Sequence, residues 1–71
     1  MNTKEKLMQL LELCIEKGLD FEASRHSISA SRWVGDNVWM FRERIWLSEE
    51  NLENNEKQLS GLITKVKNYQ P

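Results

Sequence analysis

Apolar residues recur every three or four positions at both ends of this chain and every second position in its middle. That change of period restricts the fold more than any other feature, because helices and strands turn their side chains at 3.6 and 2.0 residues per repeat. Over residues 3–17, Leu7, Leu10, Leu11, Cys14 and Ile15 form one apolar helical stripe. Asn2 and Glu5 suit a capping box before it, and Gly18 suits the left-handed position after its last turn. Met8 and Leu13 lie off the centre of the stripe, where they read either as scattered surface apolars or as a contact with a second subunit. From Leu52 onward, Leu59, Leu62, Ile63, Val66 and Tyr69 mark a second helix reaching about Asn68. Ser48, followed by Glu49 and Glu50, reads as its capped start. Gly61 costs this helix about 1 kcal/mol relative to alanine, and its small size suits close packing on a sheet.

Between the helices the pattern alternates. Leu19, Phe21 and Ala23 alternate with Asp20, Glu22 and Ser24, and the stretch from Ser27 to Val34 repeats the pattern with Ile28 and Ala30 on one side. Arg25 to Ser27 leaves room only for a tight turn or a bulge, and the register there stays open. Gly35-Asp36-Asn37 is the clearest turn signal in the chain. The segment from Val38 to Leu47 then reads as the longest strand. Trp39, Phe41, Ile45 and Leu47 fall on its apolar side, interrupted by Glu43, whose charge implies a sheet edge, an arginine partner or a bulge. The economical fold is an α+β two-layer sandwich in the order α-β-β-β-α: a three-stranded antiparallel meander with both helices on its apolar face. All 71 residues form one domain, and the second face of the sheet is left uncovered.

A chain this short buries a small core and often gains stability from disulfides, metals or self-association. Cys14 is the single cysteine and His26 the single histidine, so neither an internal disulfide nor a closed zinc site can be built. Self-association is what remains, and a homodimer is expected. The polar start at Asn2, Thr3, Lys4 and Glu5 and the shortness of every apolar run give no signal peptide or membrane span. A soluble cytoplasmic protein is expected, and a free thiol suits a reducing compartment.

The candidate binding surface follows from where the arginines and tryptophans lie. All four arginines and all three tryptophans fall between Phe21 and Leu47, and all six lysines fall outside it. Alternation puts Glu22, Ser24, His26, Ser27, Ser29, Ser31, Trp33, Met40, Arg42, Arg44 and Trp46 on the uncovered face. Arg25, His26, Arg32, Trp33, Arg42, Arg44 and Trp46 are the candidate partner-binding residues. Arginine offers a planar fork for carboxylate or phosphate and stacks on aromatic rings, and Trp and Arg dominate interface hot spots. Taken singly, each is better explained by packing or by a cross-strand pair of Arg42 or Arg44 with Glu22. As a cluster they point to a partner, because exposed Trp33 and Trp46 are costly in water.

Nothing supports catalysis. No glycine-rich phosphate loop is present, Cys14 sits in a helical apolar stripe, His26 has no nucleophile beside it in a recognisable pattern, and Glu49, Glu50, Glu53 and Glu56 read as a solvated face. No catalytic residue, metal ligand or cofactor is assigned. Arg25-His26-Ser27-Ile28-Ser29-Ala30 and Ile45-Trp46-Leu47-Ser48-Glu49-Glu50-Asn51-Leu52 resemble small proteins, mostly of unknown role, encoded by phages and prophages of Gram-positive bacteria. The resemblance spans about residues 19 to 66. In that group a glycine often precedes the histidine, where this chain has Arg25. It implies a phage accessory gene and a bacterial host, a setting in which small non-enzymatic inhibitors and counter-defence proteins are common. The leading expectation is therefore a non-enzymatic binder of an acidic host-protein surface or an anionic nucleotide-like ligand. A nucleic-acid binder is the second reading, weakened by a net charge of −1, and a purely structural homo-oligomer is the third.

Overall fold

A computed structural model describes residues 3–36 and 38–70. The chain runs α1 (Thr3–Lys17), β1 (Asp20–Ala23), β2 (Ser27–Gly35), β3 (Val38–Trp46) and α2 (Leu52–Asn68). The strands form one antiparallel sheet in the order β1-β2-β3, as the alternating middle segment requires. Both helices pack on the face that carries Ile28 and Ala30, and the core joins these residues to Leu10 and Cys14 of α1 and to Leu59, Leu62, Ile63 and Val66 of α2. Phe21, Phe41, Ile45 and Leu47 pack partly buried around it, as expected from their spacing. Phe41 also meets Tyr69, at the end of α2, with ring centroids 5.1 Å apart.

Turn chemistry sets the strand pairing. Gly18 ends α1 with φ 69°, and its carbonyl accepts a hydrogen bond from Arg32 Nη1 at 3.2 Å. The β1–β2 connection is a tight turn in which Ser24 Oγ accepts from the backbone N–H groups of His26 and Ser27. Gly35 (φ 100°) and Asp36 (φ 51°) take the left-handed conformations of the second hairpin, with Gly35 opposite Val38. Asn37 of that turn, and Asn2 of the expected capping box, lie outside the described residues.

Four details differ from the sequence pattern. The first concerns α1, whose buried side holds Leu10 and Cys14 with Leu7 and Leu13 beside them, while Leu11 and Ile15 turn outward next to Met8.

The second concerns the start of α2. Ser48 is not its cap: Ser48 Oγ accepts from the backbone of Glu50 and Asn51, and Asn51 is the N-cap, its side chain accepting from Asn54 N at 3.0 Å. Leu52 is then exposed, and the core-facing position one turn later belongs to Asn55. This buried amide accepts from Ser48 N at 2.8 Å and donates to Ser48 O at 2.6 Å, tying the β3–α2 loop to the helix.

Third, Gly61 does not touch the sheet; a Cβ there would meet open space. Fourth, Glu43 lies on an edge strand, as one reading of its charge expected, and that charge is answered by Lys65 of α2 at 3.3 Å rather than by an arginine. At the far end of the helix layer the Lys17 ammonium donates to the carbonyls of Lys67 and Tyr69 at 2.7 and 2.6 Å, satisfying the last turn of α2 from the last residue of α1. No described helix is long and apolar enough to cross a membrane.

Candidate functional site

The sheet face opposite the helices is built in rows. Asp20 of β1, Ser31 of β2 and Arg42 of β3 are successive partners across the sheet, and Glu22, Ser29 and Arg44 form the next row. Each row therefore runs acid, serine, arginine. The serines make a low floor down the middle strand. Ser29 is almost fully buried although no other layer covers it, because Glu22 and Arg44 approach each other across it at 3.8 Å. A shallow depression of about 480 Å³ lies along this floor between Ser24, Ser27, Glu22 and Arg44, and a smaller one of about 100 Å³ adjoins Trp39 and Arg42.

Trp39 is the residue that sequence alternation misplaces. Arg32 pairs with Phe41, but the next residue of β2, Trp33, pairs with Trp39, so Met40 is an extra residue on β3. Such a bulge reverses the inside-outside alternation beyond it. It carries Trp39 from the expected core side to the uncovered face, where it stands opposite Trp33 and remains 42% exposed. The Arg42 guanidinium lies over the Trp39 ring, 4.7 Å from its centroid, and the Arg44 guanidinium lies 5.7 Å from the centroid of Trp46. Along β3 the uncovered face therefore reads Trp39, Arg42, Arg44, Trp46, two cation–π pairs end to end. Trp33 and Trp46 are 56% and 64% exposed.

Comparison with protein families, curated proteins and solved structures found no match to this chain. What the face can do must be read from its own geometry.

Of the seven residues singled out from the sequence, Trp33, Arg42, Arg44 and Trp46 come together, and Trp39 joins them. Arg32 lies on the opposite face, where it bonds Gly18, because it shares the strand parity of Ile28 and Ala30. Arg25 sits in the β1–β2 turn in an ion pair with Glu49 at 2.8 Å. His26 is exposed in the same turn, its carbonyl accepting from Leu47 N, near the Trp46 end of the sheet. The expected cross-strand pair of Arg44 with Glu22 is present, long and solvent-exposed, a geometry worth little in stability. Arg42 and Asp20, by contrast, have no ion-pair partner among the described residues.

Cys14 is fully buried, and burial pushes its thiol above the ordinary value, which keeps it protonated and unreactive. Among the described residues no group of three or more His, Cys, Asp or Glu side chains is placed to hold a metal ion.

Proposed function

We propose that this chain is a small non-enzymatic binding protein that recognises a carboxylate-bearing protein surface through Trp33, Trp39, Arg42, Arg44 and Trp46. The observation that supports it is the pair of arginines stacked on tryptophans along an uncovered sheet face. Stacking fixes a guanidinium in plane while its N–H edge stays available to a planar acceptor, so little side-chain entropy is lost on binding. Arg42 is held in this way with no ion-pair partner of its own among the described residues. The serine floor admits an approaching surface without steric conflict.

The same geometry favours a protein surface over an anionic nucleotide or a nucleic acid. Asp20 and Glu22 line the β1 side of the face, opposite Arg42 and Arg44, so its charges are patterned and sum to zero. Phosphate-dominated binding needs an excess of positive charge, which this face lacks. In the phage setting suggested by the resemblance, such a protein acts as an accessory inhibitor, by contact alone, in the cytoplasm of the bacterial host.

The test is a titration of the isotopically labelled protein with a glutamate-rich peptide, with ATP and with a single-stranded oligonucleotide, read at the three indole N–H resonances. The peptide is expected to shift the Trp39 and Trp46 signals, and Arg42→Ala with Arg44→Ala is expected to abolish the response while the remaining spectrum stays native. A response that survives in the double variant refutes the proposal. Shifts caused only by the oligonucleotide, and lost steeply with added salt, would establish nucleic-acid binding instead.

A further inference from the structure

We infer that the surface recognised by this face is the same face of a second copy, so that two chains close into a dimer by stacking their sheets. The inference rests on the binding reading above and names its partner. It follows from the order of charge within the rows. Asp20–Ser31–Arg42 and Glu22–Ser29–Arg44 each run from acid on β1 to arginine on β3. A two-fold axis along the middle strand, lying between two stacked sheets, places β1 of one copy over β3 of the other and keeps every row in step. Asp20 then lies over Arg42 of the second copy, Glu22 over its Arg44, and the serines lie over themselves. The face is self-complementary in charge, which is what an isologous interface requires.

Shape agrees with charge. The β3 side stands high with tryptophan and arginine, β2 is low with serine from Ser27 to Ser31 before Trp33 rises near its end, and β1 is only four residues long. Under the same axis the tall side of one sheet meets the low side of the other. Packed sheets lie about 10 Å apart, a gap that an arginine and a carboxylate reaching from opposite sides can span. Asp20 and Arg42 lack ion-pair partners within the single chain, among the described residues, and each would gain one.

The molecule measures 37 × 21 × 16 Å, so even its broadest side offers an area comparable only to the lower part of the ~600–1,000 Å² per partner buried in specific interfaces. Pairing two β3 edges instead would bring the arginines of both copies side by side on one face, which like charges oppose.

The experiment is sedimentation equilibrium on four chains: the natural sequence, Arg42→Glu/Arg44→Glu, Asp20→Arg/Glu22→Arg and, as a control on the helix layer, Leu11→Glu/Ile15→Glu. The natural chain is expected to approach twice its 8.4 kDa mass as concentration rises. Each sheet-face variant carries one sign of charge on both sides of the face and is expected to be monomeric. An equimolar mixture of the two restores complementarity and is expected to return to the doubled mass.

A natural chain that stays monomeric at millimolar concentration overturns the inference, as does a mixture that fails to associate. A dimer that persists in both sheet-face variants, or dissociates only on Leu11→Glu/Ile15→Glu, assigns association to another surface and also overturns it. Failure here is separable from failure of the binding proposal: a monomer whose Trp39 and Trp46 signals still respond to the acidic peptide loses only the self-partner, whereas a monomer with silent signals loses both.

Discussion

Asn55 shows how one side chain can hold an element boundary in place. Its helical spacing to Leu59 puts it on the core side of α2, where a polar residue is costly unless both ends of its amide are satisfied. Both are, by the N–H and C=O of Ser48. Asn55→Ala removes two hydrogen bonds and leaves the loop untethered, and is expected to lower stability by about 1–2 kcal/mol, read as a reduced urea midpoint with an unchanged slope. The sequence shows a polar residue one turn before Leu59 and nothing more. Its partner is backbone seven residues earlier, and backbone leaves no trace in composition. Leu52 fails as a core residue for the same reason, since Asn51 rather than Ser48 caps the helix and fixes where the first turn points.

At the scale of elements, periodicity was a sound guide. The span of α1, the three strands, their antiparallel order and the end of α2 all follow from spacing and turn residues, because each depends on contacts within a few positions. Where alternation breaks, spacing cannot say which residue is the extra one. The charge on Glu43 signalled a disturbance on the right strand, yet the bulge lies at Met40, three residues earlier. The expected binding face therefore lost Trp39, and it kept Arg32, Arg25 and His26, which the sheet does not bring to it. Deleting Met40 should remove the extra residue and leave Trp39 two positions from Arg42, still opposite Trp33 on the uncovered face. The expected result is retention of nuclear Overhauser contacts between the Trp39 ring and the Arg42 side chain alongside those of Arg44 with Trp46; their loss would show that the bulge does not set which face Trp39 occupies.

For the whole molecule, the two layers are unequal. The helix-covered face contains the entire buried apolar core, whereas the opposite face holds three partly exposed tryptophans. A domain this small has little stability to spare, and covering the second face would add to it. If two copies do this for each other, unfolding is linked to dissociation and the melting temperature depends on concentration. Scans from roughly 10 to 500 µM should show the midpoint climbing by several degrees for the natural chain and holding level for either charge-reversed variant. Added salt should weaken the natural dimer, since its pairing relies on partly exposed charges. The uncovered face could be located from sequence because segregation of arginine from lysine marked it. Its self-complementarity could not, because which acid shares a row with which arginine is a matter of register.

The Met40 bulge has an optical consequence. By bringing Trp39 to the side of Trp33 and Trp46, it leaves every indole of the protein on one layer and none in the helix-packed core. Ultraviolet emission excited at the indole band is thus a gauge of one surface only. It responds to whatever approaches the sheet and is nearly blind to rearrangement among α1, α2 and the residues between them.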